Sequence, residues 1–188
     1  MDLKKYYIPL SLVVLIVGSL AIWIIIEKLP EWMGTTRNQH SFIDQLENQG
    51  AIDFKMKTIE GKELNFSSLN GKIVILSFWA SWCGPCVEEF PSMISLLKQF
   101  PDKVVMVAIS SDYTVEDINV FFSSLKIPKE LSNLYVVWDP DHEISQKYQI
   151  QKLPESFIIG KNMKLLRKVI GSINWSDDDA ISFFKKEI

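Results

Sequence analysis

The stretch Ile73-Val74-Ile75-Leu76-Ser77-Phe78-Trp79, followed after Ala80-Ser81 by Trp82-Cys83-Gly84-Pro85-Cys86, decides the fold. Seven nearly all-apolar residues without polar alternation have the length of a strand covered on both faces. The run from Gly84 to about Gln99 then reads as a helix. Two cysteines three apart at the start of a helix lie on one face, close enough for a disulfide. The first sits near the helix N-terminus, where unpaired N–H groups and the dipole stabilise an anion. A thiol near pKa 8.5 falls to roughly 3.5–7.5 in such a setting. Cys83 is therefore the candidate nucleophile. Cys86, one turn further in and more enclosed, is the candidate resolving thiol.

Working outward, Val104–Ile109 is a second buried strand and Leu134–Trp138 a third candidate central strand. A helix starts at Thr114, with Asp117 as its capping-box partner, and runs to about Leu125 before a loop holding Pro128. Glu143–Tyr148 is a short helix. Ser156–Ile159, a Gly160-Lys161-Asn162 turn and Leu165–Ile170 form a hairpin-like end. Asp177–Lys186 closes with a helix whose acids lie in its first turn and lysines in its last, matching the macrodipole. Upstream, Ala51–Met56 reads as a short strand and Glu60-Gly61-Lys62 as a turn. Strands alternating with helices predict an α/β sandwich around a partly parallel sheet over residues 49–188.

The remainder of the 188 residues is an appendage. Tyr6–Ile26 carries no charge, and as a helix it spans roughly 30 Å, the thickness of a bilayer's hydrocarbon core. Pro9 falls in its first turn, and Tyr6, Tyr7, Trp23 and Trp32 suit the interfacial zones. A cleaved signal peptide is the rival reading, with small residues at Val17-Gly18-Ser19, but the apolar run continues past that point to Ile26. No cysteine follows to take a lipid. The expectation is a retained single-span anchor at 6–26, with 1–5 cytoplasmic and 27–48 a linker in which Ser41–Glu47 forms a helical turn or two. Lys4 and Lys5 precede the span, whereas Glu27, Lys28, Glu31 and Arg37 nearly balance after it. The positive-inside rule then directs residues beyond Leu29 out of the cytoplasm, where disulfides form.

Composition narrows the chemistry. At 47% hydrophobic and 23% charged, the chain is no disordered or low-complexity sequence. A net charge of −3 without a basic cluster argues against a nucleic-acid partner. Two cysteines exclude a disulfide scaffold. A structural zinc site needs two more ligands, and the histidines, His40 and His142, lie one in the linker and one far along the domain. Haem attachment needs histidine after the second cysteine, and position 87 is valine. No metal and no cofactor are expected.

Phe78-Trp79-Ala80-Ser81-Trp82-Cys83-Gly84-Pro85-Cys86 resembles the active-site segment of the thioredoxin superfamily. Pro91 matches the proline that kinks the family's first helix. Leu153-Pro154 before Ser156-Phe157-Ile158-Ile159 resembles the loop holding a cis-proline that faces the disulfide. The resemblance covers roughly Ala51 to Ile188. The anchor, Glu89 and the added segment between about Ser110 and Asp139 resemble the membrane-anchored TlpA/ResA-like branch. The implied architecture is a thioredoxin-like three-layer sandwich with a central mixed sheet.

The resemblance implies an extracytoplasmic thiol–disulfide oxidoreductase that reduces disulfides of partner proteins, in some members for cytochrome c maturation. Trp82, Gly84, Pro85, Leu153 and Pro154 would face the substrate, and a membrane thiol donor would restore the dithiol. Two departures bear on mechanism. Thioredoxins carry a buried aspartate where this chain has Ser77, so the proton of Cys86 falls to Glu89, the branch's own candidate. Glu155 follows Pro154 where the family often has threonine, which predicts an acid beside the substrate groove. The alternatives are an oxidase or isomerase of the same fold, and a tethered chaperone whose disulfide is only structural.

Overall fold

A computed structural model describes residues 10–125 and 131–188, with side chains left undescribed at 10–12 and 26–38. The chain divides into two units between Asp44 and Gln45. One helix, α1 (Leu10–Asn48), runs through the first unit and into the second. The predicted linker is thus helical, through Pro30 and Gly34, and not only over Ser41–Glu47. Val13–Ile25 lie exposed along α1, a continuous apolar helical surface without a core of its own. Among the described residues no helix is long and apolar enough to cross a membrane. The described part of the predicted span, residues 10–26, covers roughly 25 Å of helix. Tyr6–Pro9, the flanking Lys4 and Lys5, and Pro128 lie outside the described residues.

In the second unit, β1 (Lys55–Lys57) and β2 (Glu63–Asn65) form a small antiparallel hairpin. Gly61 takes φ +81° in its turn, a conformation glycine adopts without Cβ strain. The expected strand from Ala51 is shorter because its first residues bond elsewhere. The Ala51 N–H donates to the Met163 carbonyl (2.7 Å), and the Tyr148 hydroxyl donates to the Ile52 carbonyl (2.8 Å).

After a 3₁₀ turn at Phe66–Leu69 the main elements follow: β3 (Ile73–Trp79), α2 (Gly84–Gln99), β4 (Val104–Ser110), α3 (Val115–Ser124), β5 (Leu134–Trp138), α4 (Glu143–Lys147), β6 (Glu155–Ile159), β7 (Leu165–Ile170) and α5 (Asp178–Glu187). Their sheet has the order β5-β4-β3-β6-β7. β3, β4 and β5 are parallel, while β6 runs antiparallel to β3 and β7 antiparallel to β6, a mixed sheet as expected. All residues of β3 and β4 are buried, which explains their unbroken apolar runs.

β5 is an edge strand, not a central one. Its apolar composition reflects cover at the edge: Thr58 bridges to Val137 and the Ile59 N–H donates to the Val136 carbonyl at 2.9 Å. α3 carries the predicted capping box, the Thr114 side chain accepting from the Asp117 N–H and the Asp117 carboxylate from the Thr114 N–H.

Side chains on the two faces of β3 build two cores. Ile73, Ile75 and Trp79 pack with Cys86, Phe90, Met93 and Leu97 of α2, Ile118 and Phe121 of α3, and Phe184 of α5. The opposite face carries an aromatic cluster of Phe54, Phe66, Phe78, Tyr148 and Phe157 with ring centroids 4.7–6.5 Å apart. This is the three-layer sandwich. It brings the C-terminal end of β3 and the N-terminus of α2 to one edge of the sheet.

Candidate active site

Cys83 is the N-cap of α2, with extended backbone (φ −86°, ψ 101°), and Pro85 occupies the helix's first turn, where a missing N–H costs nothing. The first turn therefore starts at the cysteine. Cys83 Sγ accepts a hydrogen bond from the Cys86 N–H at 3.3 Å. Cys83 and Cys86 form a disulfide with Cα atoms 5.3 Å apart. Cys83 is 7% exposed and Cys86 fully buried, so an incoming sulfur reaches Cys83 first. The Cys86 N–H that holds the Cys83 sulfur would hold its thiolate more strongly once the bridge is reduced.

Glu89 lies one turn beyond Cys86 and is 4% exposed. Its Oε2 accepts from the Ile173 N–H (3.2 Å) and from Trp175 Nε1 (3.3 Å). Burial raises its pKa from 4.5 to about 7, against the lowering effect of these two bonds. Glu89 also lines an open polar groove of about 570 Å³ with Ser92, Ser172 and Asn174, a route by which its proton exchanges with solvent. Glu88 on the same helix is exposed. Ser77, where an acid is absent from the motif, is buried.

The Leu153–Pro154 peptide bond is cis. The Gly171 N–H donates to the Pro154 carbonyl at 2.9 Å, tying the turn to the chain after β7. Leu153 packs against the cluster that holds both cysteines. Leu153 and Trp82 line a groove of about 330 Å³ together with Tyr113, Gln146 and Lys152. Trp82 is 58% exposed and stacks on Tyr113 with ring centroids 6.4 Å apart. It forms the site's rim, whereas Trp79 is wholly buried against Phe90, Phe121 and Phe122. Gly84 and Pro85 are exposed at the start of α2.

Glu155 does not lie in the groove. It is 2% exposed, pairs with Phe78 across β3–β6 and so shares the aromatic face of the sheet. There its Oε2 meets Lys168 Nζ at 3.2 Å. Desolvation raises its pKa and Lys168 opposes the rise. The pleat explains the correction: the residue after Pro154 turns to the face opposite the disulfide.

Sequence reasoning missed Asp112. Buried just past the C-terminal end of β4, it accepts from the Ser81 N–H (3.0 Å), the Ser81 hydroxyl (2.6 Å) and the Ser110 hydroxyl (2.7 Å). Asp112 thereby clamps the loop two residues before Cys83. The available signal was position: ends of parallel strands are where α/β proteins collect site residues. Asp112→Ala would leave those donors unpaired, at about 1–3 kcal/mol for each. Denaturant unfolding of that variant is expected to show a loss of about 2 kcal/mol or more, with slower disulfide exchange. Unchanged stability and exchange would remove the clamp from the account.

Comparison with known proteins agrees with this geometry. The AhpC/TSA family pattern matches residues 48–168. A thiol-disulfide oxidoreductase ResA of Bacillus cereus is 34% identical over 145 residues, covering 74% of this chain and 80% of that protein. ResA of Bacillus subtilis (strain 168) is 32% identical over 131 residues, covering 69% and 70% respectively. The crystal structure of StoA from Bacillus subtilis superposes with a TM-score of 0.57 at 28% identity, covering 71% of this chain and 95% of that one. With its disulfide at the tip of α2 and its mixed sheet, the chain belongs to the AhpC/TSA family, on its thioredoxin-like branch of ResA-type thiol–disulfide oxidoreductases.

Proposed function

We propose that this chain is a single-pass, membrane-anchored reductase of disulfides in extracytoplasmic partner proteins, with cytochrome c maturation as its setting. The observation that carries the reading is a buried carboxyl raised to about 7, one helical turn beyond a buried cysteine whose disulfide partner is the outer residue. Such a carboxylate is matched to accept a thiol proton at neutral pH.

The reaction begins with the dithiol. The Cys83 thiolate attacks one sulfur of the substrate disulfide, forming a mixed disulfide and releasing the first substrate thiolate, which takes a proton from solvent. Glu89 then accepts the Cys86 proton. The Cys86 thiolate attacks Cys83 Sγ, the Cys83–Cys86 bond forms, and the second substrate thiolate leaves. Two electrons pass to the substrate. A membrane thiol donor returns them, since two cysteines provide one dithiol and no internal relay. Trp82, Gly84, Pro85, Leu153 and the cis-Pro154 loop bear the substrate segment, its backbone pairing beside Leu153.

The anchor is supported by the uncharged run Tyr6–Ile26 and by the exposed apolar surface of Val13–Ile25, which no core of the described residues covers. The lysines at 4 and 5 support a cytoplasmic N-terminus. The Gly-Pro between the cysteines supports the reducing direction.

The test is Cys86→Ser expressed in the native host, where substrates accumulate on Cys83. Trapped extracytoplasmic proteins, c-type cytochrome components among them, recovered in the membrane fraction are the expected result. Trapped cytosolic proteins, or a chain recovered in the soluble fraction, would overturn the location. A broad mixture of extracytoplasmic proteins would replace the maturation role with general reduction.

A further inference from the structure

Ser77 and Ser156 are directly opposite each other across β3 and β6, one step above the Ile75–Ile158 pair. Pleating places both serines on the face of Ile75, Ile158 and Trp79, the face that packs against α2. Ser77 is 1% and Ser156 2% exposed. Among the described residues neither hydroxyl has a hydrogen-bond partner. Opposite residues in an antiparallel pair hold their Cβ atoms about 5 Å apart, so the two hydroxyls belong to one small polar spot in an apolar core.

The far end of α2 locates what lies above that spot. Asn133 Nδ2 donates to the carbonyls of Leu97 and Val104, and Val104 pairs with Ile73. Leu97 therefore sits level with Ile73. Counting eleven residues back along the helix gives a rise of roughly 16 Å to Cys86. Four and six residues along β3 give roughly 13 Å to Ser77 and 20 Å to Trp79. Cys86 lies between them in height, fully buried and in the same cluster as Ile75, Ile158 and Trp79.

A buried hydroxyl without a partner is unfavourable, and alanine at the same position would remove the penalty. Two such hydroxyls under a sulfur that must become an anion have a use in the reduced protein. We infer that Ser77 and Ser156 are positioning residues for the resolving thiol, donating their O–H groups to the Cys86 thiolate directly or across one ordered water. In the disulfide, Cys86 Sγ is a weak acceptor and the hydroxyls stay unpaired; after reduction it becomes a strong one. Glu89 takes the proton and the serines hold the charge left behind. This rests on the dithiol reading above and assigns the groups that stabilise its second nucleophile.

The titratable groups around Cys86 are few. Glu89 follows it by one turn on its own helix, with its carboxylate on the Ile173 N–H and Trp175 Nε1, Cys83 is its partner, and Asp112 is bound by Ser81 and Ser110 near the loop before Cys83. Glu155 and Lys168 form their ion pair on the other face of the sheet. The experiment is a pH titration of the Cys86 thiolate by ultraviolet absorbance in a Cys83→Ala background, comparing Ser77→Ala/Ser156→Ala with Ser77→Thr. The double alanine chain is expected to need about one pH unit more, a tenfold smaller thiolate fraction at neutral pH. In the two-cysteine protein, release of the second substrate thiolate should slow about tenfold while the first attack by Cys83 keeps its rate. Ser77→Thr retains a hydroxyl and should titrate like the parent. The alanine chain should also melt at the same or a higher temperature, which separates this role from a structural one. An unchanged Cys86 titration in the double alanine chain overturns the inference, whereas failure of the parent to reduce any disulfide overturns the reductase reading.

Discussion

Cys83→Ser will reduce no protein disulfide above the rate of free thiols in solution, whereas Cys86→Ser will consume one substrate per chain and stop. The asymmetry follows from burial and from the helix start. Cys83 is the N-cap, is the only residue of the pair with accessible surface, and receives the Cys86 N–H. Its thiolate is the form stabilised by the free N–H groups of the first turn, so it attacks first. Cys86 has no solvent-accessible surface and meets only a sulfur already bonded to Cys83. Rapid mixing of the reduced variants with a model disulfide, quenched by acid and resolved by mass, distinguishes the two outcomes. A stoichiometric adduct on Cys86→Ser and none on Cys83→Ser is expected. Adducts on Cys83→Ser at a comparable rate would show that the buried sulfur is the entry point and would reverse every role assigned here.

How much of this is legible in the chain depends on whether a residue's job is local. The β3 run, the helix from Gly84 to Gln99 and the Thr114–Asp117 capping box depend on neighbours within a few positions, and the structure places them where the residues indicate. The cis bond before Pro154 follows from resemblance to a family loop, not from spacing. Glu155 reads as a groove residue in the sequence because the side a strand residue faces depends on pairing register, and Glu155 inherits its side from Phe78. β5 reads as central because an edge strand covered by a hairpin is as apolar as an inner one. The Asp112 clamp links positions 81 and 112, and the contact between Glu89 and Trp175 spans 86 positions of sequence. No local pattern encodes either contact. The linker's helical state is legible only over its final turns, because Pro30 and Gly34 read as breakers yet lie inside α1.

Glu89→Gln will slow resolution of the mixed disulfide by about 10²–10⁴-fold, the range lost when a positioned general base is removed. Glutamine keeps an oxygen to accept from the Ile173 N–H and Trp175 Nε1, so the fold around it persists. What it lacks is a site for the Cys86 proton. In the parent protein the resolution rate should climb with pH through an inflection near 7, where Glu89 loses its own proton; in the variant that inflection should vanish. The same carboxyl leaves a mark on stability with a definite sign. Its pKa in the folded chain, about 7, lies above the 4.5 of an exposed carboxyl, so the folded state favours the protonated form. Its contribution is therefore complete below pH 4.5 and is lost as pH rises through 7, a decline of about 3 kcal/mol across that window. Glu155, also raised, declines in the same direction, so the informative quantity is the difference between parent and Glu89→Gln, both unfolded in the disulfide form. That difference should shift in favour of the variant between pH 4.5 and 7 and stay level above it. A difference curve flat throughout, together with an unshifted rate inflection, would mean that Glu89 is ionised in the folded protein and that another group takes the proton from Cys86.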